Sequence, residues 1–192
     1  MHTAGFLILL AIVVLGGAYF LSAYMLRVYE GQRTWLSRVF GPVERVIYRS
    51  LRIDAERDMT ALQYTRAVLM FSAAGFLAVY LIERTQGHLP FNPISLKGVR
   101  PDIAMNTAIS FVTNTNWQSY VPETTMSYAT QAVGLAVQNF VSAATGMAVA
   151  VALVRGFTRS HQSGIGNFWA DIVRGVLYIL IPLSLIIAVV LV

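Results

Sequence analysis

The sequence predicts an all-α integral membrane protein built from four transmembrane helices, one re-entrant pore helix and a polar loop that follows it. Three observations carry that expectation. Hydrophobic residues make up 56% of the 192-residue chain and charged residues only 12%, with a mean hydropathy of +0.62, which is more apolar than a soluble domain. The charges gather in patches and leave uncharged windows at 1–26, 67–82, 103–122, 124–154 and 175–192. The third observation is NTAISFVTNTNWQSY, residues 106–120, an uncharged stretch rich in Asn and Thr set between apolar runs of membrane length. Irregular backbone at membrane depth is tolerated only where protein buries it or water lines it, so this stretch implies a route for something hydrophilic.

The first span, about Gly5 to Leu26, exceeds the roughly 20 apolar residues that a crossing needs. No basic residue precedes it and no small-residue cleavage site follows, so it reads as a retained helix and not as a secretory signal. Gly16, Gly17 and Ala18 give it a small patch suited to close helix contact. In the segment 27–63, Trp35, Leu36, Val39, Phe40, Val43, Val46, Ile47 and Leu51 recur at near-helical spacing among arginines, with Gly41 and Pro42 interrupting. That pattern fits a helix lying in the membrane interface, or a solvated docking face.

The second span covers about 64–83, with Arg66 snorkelling to the headgroups. Prolines 90, 93 and 101 make 87–101 a turn-rich loop. A short helix is expected from Ile103 to Val112 with Asp102 as its N-cap, about 15 Å long and able to reach only halfway across a membrane. Its C-terminal end directs a partial negative charge at the polar loop and favours a cation there. Glu123 to Val154 forms the third span. Its Gln131, Gln138, Asn139, Ser142 and Thr145 are expected to face a bundle interior or a pathway, with Ala132/Ala136 and Ser142/Gly146 as small pairs for helix contact. The last span is expected at 175–192.

Catalytic chemistry finds little support in these residues. The chain has no cysteine, which excludes disulfides and thiolate sites. His2, His88 and His161 are isolated and give no ligand pair on one helical face. HQSGIGN at 161–167 contains a GxG but no longer phosphate-binding pattern, and no Walker motif or phosphorylatable P-type aspartate motif is present. Short helix, polar segment and return span are instead the parts by which channels present rings of oxygens to an ion.

NTAISFVTNTNWQSY, followed by ETTMSYATQAVGLAVQNFVSAATGMAVAVALVRGFTR and preceded by LPFNP, closely resembles the KdpA family, the potassium-binding subunits of Kdp potassium-importing ATPases. The resemblance runs through essentially the whole chain. It implies four span, pore helix, filter loop, span repeats around one ion path. Of these the sequence supplies an extra first span (1–26), a basic cytoplasmic loop (27–63), the first repeat (64–156), and a loop with the leading span of the second (157–192). By motif, Thr113, Asn114, Thr115 and Asn116 are the expected filter, mainly through carbonyls, with potassium at Asn114, Thr115 and Asn116 and with Gln118 just outside. The family implies ATP hydrolysis in a separate KdpB subunit, KdpC and KdpF as further partners, a multi-pass position in the bacterial inner membrane, and potassium as the transported ion. Val121-Pro122 before Glu123 departs from the family pattern of a small residue and Gly, which bears on the exit of the loop. Because one filter loop cannot encircle an ion, two other readings stand beside the subunit fragment: a minimal channel completed by homotetramerisation, and a non-conducting assembly fragment.

Eight arginines, from Arg27 to Arg66, lie between the first two spans, and Arg155, Arg159 and Arg174 lie between the last two. The intervening surface balances Arg84, Lys97 and Arg100 against Glu83, Asp102 and Glu123. This asymmetry places the arginine-rich loops in the cytoplasm and the N-terminus outside. A cysteine introduced at Arg45 should therefore be labelled only from the cytoplasmic side and one at Lys97 only from the outside; the reverse accessibility would overturn this topology.

Overall fold

A computed structural model describes residues 2–159 and 164–191, so His161 and the HQS of the glycine-containing loop lie outside the described residues. Among the described residues all regular structure is helical, and four helical stretches are long and apolar enough to cross a membrane: Thr3–Tyr29, Ala61–His88, Thr130–Thr158 and Phe168–Leu191.

Helix α1 (His2–Tyr29) stands almost free of the rest until its last turn, where Val28 and Tyr29 are buried. Nothing lies within 4 Å of a side chain placed at Gly16 or Gly17, so their small patch makes no close contact inside this chain. Helix α2 (Ser37–Leu51) runs straight through Gly41 and Pro42. One proline near the start of a helix removes a single backbone bond, and the apolar periodicity on either side carries the helix past it.

Helix α3 (Ala61–Thr85) opens with a reciprocal capping box: the Gln63 amide donates to the Thr60 hydroxyl oxygen while the Thr60 amide donates to Gln63 Oε1. A short 3-10 turn, Gln86–His88, then leads into the proline-rich loop. That loop folds back on α3, with the Val99 amide donating to the Glu83 carbonyl at 3.0 Å and Arg84 donating to the Val99 carbonyl. At Gly98 a Cβ would fall 2.3 Å from the Arg84 carbonyl oxygen, so this close approach requires glycine.

Helix α4 spans Pro101–Val112. Its N-cap is Arg100, with Pro101 as the first helical residue and Asp102 inside the first turn, two residues earlier than the expected Asp102 cap. Proline is suited to that first position because its missing N–H has no partner there in any helix. At twelve residues α4 is about 18 Å long, too short to cross a membrane. It packs against α3 and α6.

After the polar loop, Pro122–Thr125 forms a single turn, α5, and the chain is extended again at Met126. The third span therefore begins at Thr130, later than expected, as a π-helical segment Thr130–Ala136 that continues into α6 (Val137–Thr158). The face that α6 buries against α3 and α7 is Ala144, Ala148 and Ala152, which pack with Tyr64, Ala67, Phe168 and Ile172. Four-residue spacing of small side chains lets the backbones approach. The expected pairs do not do this: Ala132 and Ala136 are exposed, and Gly146 has nothing near it.

The last span begins at Phe168, earlier than the uncharged window 175–192, and consists of α7 (Phe168–Arg174), a π-helical segment Gly175–Leu180 and α8 (Ile181–Leu191). It accommodates Asp171 and Arg174 because both are paired. Arg155 Nη1 and Nη2 donate to the two Asp171 carboxylate oxygens at 2.6 and 3.0 Å, and the Tyr64 hydroxyl donates to Asp171 Oδ2 at 3.0 Å. Arg155 also donates to the carbonyls of Tyr29 and Ile165. One buried pair thus joins α1, α3, α6 and α7.

Removing one partner of a buried ion pair leaves a charge unpaired and costs about 3–5 kcal/mol, whereas replacing both by apolar groups is often neutral. Asp171→Ala should accordingly lower the unfolding temperature in detergent steeply, and Arg155→Met combined with Asp171→Leu should recover most of the loss. Equal damage from the single and double variants would show that the pair is not the element holding these helices.

Candidate functional site

The polar loop leaves the C-terminal end of α4 and turns its amide groups back onto it. Thr113 N–H donates to the Ile109 carbonyl at 3.0 Å and Asn114 N–H to the Phe111 carbonyl at 3.2 Å. Thr115 and Asn116 N–H both donate to the Ser110 carbonyl, at 2.9 and 3.2 Å. Trp117 N–H donates to Ser110 Oγ at 2.7 Å, and that hydroxyl donates to the Trp117 carbonyl at 3.0 Å. Five consecutive amides are thereby satisfied by the last turn of one helix. Among the described residues no donor reaches the carbonyl oxygens of residues 113–116. Ser110, buried on α4, is the hub of this arrangement and is not among the expected site residues; a serine in the last turn of a helix, next to an irregular segment, is the signal that points to it.

The backbone of the loop alternates in hand. Asn114 and Asn116 have φ of 55° and 56°, with Thr113 at −81° before them. Asparagine is among the few residues that adopt left-handed backbone without a large penalty. Its recurrence at every second position in TNTN therefore has a main-chain cause, beyond the side-chain oxygens for which the sequence reading chose it.

Side chains lock the loop to the third span. Asn116 Nδ2 donates to Asn139 Oδ1 at 3.0 Å and to Asn114 Oδ1 at 3.2 Å, and the Ser142 hydroxyl donates to Asn114 Oδ1 at 3.3 Å. Thr113 and Thr115 share a hydroxyl hydrogen bond at 2.7 Å. Thr113, Asn114, Thr115 and Asn116 are thus brought together, with Asn139 and Ser142 behind them. Gln118 is exposed on the next segment, apart from this network among the described residues. Of the other polar residues in the third span, Gln131 binds the Met126 carbonyl and Gln138 is buried against Gly75.

Two features fix the outer frame. Gln86, fully buried, donates to the Lys97 and Thr125 carbonyls and accepts from Ser127 N–H and the Thr130 hydroxyl. It ties the end of α3 to the start of the third span using all of its amide capacity. Pro122 occupies the first turn of α5, with Val121 extended before it, so proline fits the exit of the loop.

The KdpA family, described as the potassium-transporting ATPase A subunit, matches residues 7–192. The chain belongs to the KdpA family. It is 53% identical over 180 residues to the potassium-transporting ATPase potassium-binding subunit of Sorangium cellulosum, covering 94% of this chain and 31% of that protein. The protein of the same description from Bordetella pertussis is 52% identical over 188 residues, 98% of this chain and 32% of the relative. A third, from Pseudomonas entomophila, is 51% identical, covering 100% of this chain and 34% of the relative. The chain spans about a third of the length of these KdpA relatives.

Ser110→Ala would leave the part-buried Trp117 amide without its protein partner, at a cost of about 1 kcal/mol. Amide exchange at Trp117 should quicken by about fivefold, while Thr115 and Asn116, whose amides bond the Ser110 main-chain carbonyl, and the amides of α3 and α6 keep their protection. Unchanged exchange at Trp117 would remove Ser110 from its central place.

Proposed function

We propose that residues 113–116 form one wall of a potassium-selective filter in an ATP-driven import complex, of which this chain supplies a portion. The observation that carries the reading is the division of the backbone: the amides of residues 113–117 are consumed by α4, and the carbonyl oxygens of 113–116 stay free of donors among the described residues. A row of carbonyls held from behind by hydrogen bonds is the arrangement that replaces an ion's hydration shell. The Thr113, Asn114, Thr115 and Asn116 side chains brace that row, and the position of α4 supports its role as a re-entrant pore helix. Gln118 takes a place at the mouth, shaping access to the filter.

The names of the relatives support potassium as the transported ion. One loop supplies oxygens from one direction only, so the remaining walls come from other parts of a longer subunit or from other chains. ATP hydrolysis belongs to a KdpB-like partner, with KdpC-like and KdpF-like subunits completing the assembly in the bacterial inner membrane. The arginine-rich face lies on the cytoplasmic side and the N-terminus outside.

Main-chain and side-chain roles can be separated by substitution within the assembled complex. Asn114→Gly and Asn116→Gly permit the left-handed backbone and should keep potassium transport, with modest loss from the missing braces. Asn114→Val forces a β-branched residue into that conformation, at about 1–2 kcal/mol, and should weaken potassium affinity at least tenfold. Asn116→Asp adds fixed charge and should erode discrimination between potassium and sodium. Wild-type affinity and ion preference in both Asn114→Val and Asn116→Asp, measured by uptake in a potassium-dependent strain, would refute the filter assignment.

A further inference from the structure

Apart from the polar loop, none of whose residues line it, a cavity of about 470 Å³ opens where the end of α1, helix α2 and the last span meet. Arg33, Arg38, Arg45 and Arg174 line it together with a single carboxylate, Glu44. That carboxylate is already engaged: Glu44 Oε2 accepts from the Tyr178 hydroxyl at 2.6 Å and Oε1 from Arg174 Nε at 3.4 Å. Arg174 is fixed further by donating to the Tyr29 carbonyl at 3.3 Å and by packing over Gly31, whose φ of 71° brings its backbone beneath the guanidinium. Arg33, Arg38 and Arg45 make no ion pair among the described residues. Four guanidinium groups therefore converge with one spent carboxylate between them. Guanidinium forks match the geometry of phosphate oxygens.

Helix α2 supplies the second observation. Together with the turn that leads into it, its apolar arc is divided: Leu36, just before the helix, Phe40 and Ile47 pack in the inner cluster that contains Tyr178, whereas Trp35 of that turn and Val39 and Val46 of the helix remain 78%, 64% and 63% exposed. On a helical wheel this exposed stripe lies between the packed arc and Arg38, Arg45 and Arg49. A helix with bulky apolar residues beside arginines lies in the headgroup plane, with the apolar stripe in the acyl boundary.

We infer that this cavity binds the phosphate of an anionic phospholipid whose acyl chains cover the Trp35, Val39, Val46 stripe. Free phosphate would satisfy the guanidinium groups and leave the stripe bare; a lipid satisfies both. The site is independent of the potassium filter, and either assignment stands if the other fails.

The test is lipid retention by the assembled membrane complex, purified in detergent and measured by native mass spectrometry with phosphatidylglycerol or phosphatidylcholine added. Phosphatidylglycerol should be retained in preference. Arg38→Gln with Arg45→Gln should weaken its retention by about fivefold for each guanidinium removed, Arg38→Lys with Arg45→Lys, which keeps the charge and loses the fork, should give retention between that pair and the unmodified protein, and millimolar inorganic phosphate should not displace it. Equal retention of the two lipids, indifference to the glutamine pair, or displacement by inorganic phosphate would each overturn the proposal. The same site can be mapped on the unmodified protein with photoreactive phosphatidylglycerol: label concentrated on residues 31–46 and 174–178 supports the assignment, and label confined to other segments contradicts it.

Discussion

Backbone amides in a membrane protein must find partners within the protein, and around the polar loop that requirement is met from one side only. The last turn of α4 offers carbonyls that its own helix leaves unpaired, and the loop curls so that five successive amides reach them or the Ser110 hydroxyl. Satisfying the donors in this way commits the acceptors. With the amides facing α4, the oxygens of residues 113–116 are left without a donor among the described residues, which is the feature on which the proposed filter rests. Asn114 and Asn116 follow from the same constraint, since the curl needs left-handed backbone at alternate positions. Asn139 and Ser142 then hold the curl from the third span, which couples the loop to a helix long and apolar enough to cross a membrane.

The opposite end of the bundle is organised by a different economy. Asp171 lies in the last span, where an unpaired carboxylate would be costly. Arg155 from the third span and Tyr64 from the second meet it with directed hydrogen bonds. Fixing these helices at one face while Gln86 fixes the second and third spans at the other leaves α4 and the loop suspended between two anchored ends. The rigidity of the proposed filter wall derives from both.

Much of this was legible in the residues because membranes make sequence patterns strict. Window length fixed the approximate spans, and the Asn- and Thr-rich uncharged stretch marked the loop before any coordinates. The errors were of three physical kinds. Charged residues suggest span boundaries, yet the last span begins at Phe168 and takes in Asp171 and Arg174 as paired side chains. Small-residue spacing does not by itself single out the stripe that packs within this chain, Ala144, Ala148 and Ala152, from Ala132/Ala136, because spacing gives the face of a helix only modulo its neighbours. Ser110 and Gln86 went unnoticed since a lone polar residue declares its role only when its partners, distant in the chain, are known. The positive φ at Asn114 and Asn116 was written in the alternation of TNTN, but Asn was weighed for its side-chain oxygen and not for its backbone.

The central claim is that the carbonyl oxygens of residues 113–116 bind the transported ion. Anomalous scattering from thallium, a potassium surrogate, in crystals of the assembled complex tests it most directly. The account predicts an anomalous peak within coordination distance of at least two of these oxygens, lost when potassium is supplied in excess. A thallium peak elsewhere along the path with none beside residues 113–116 would contradict it.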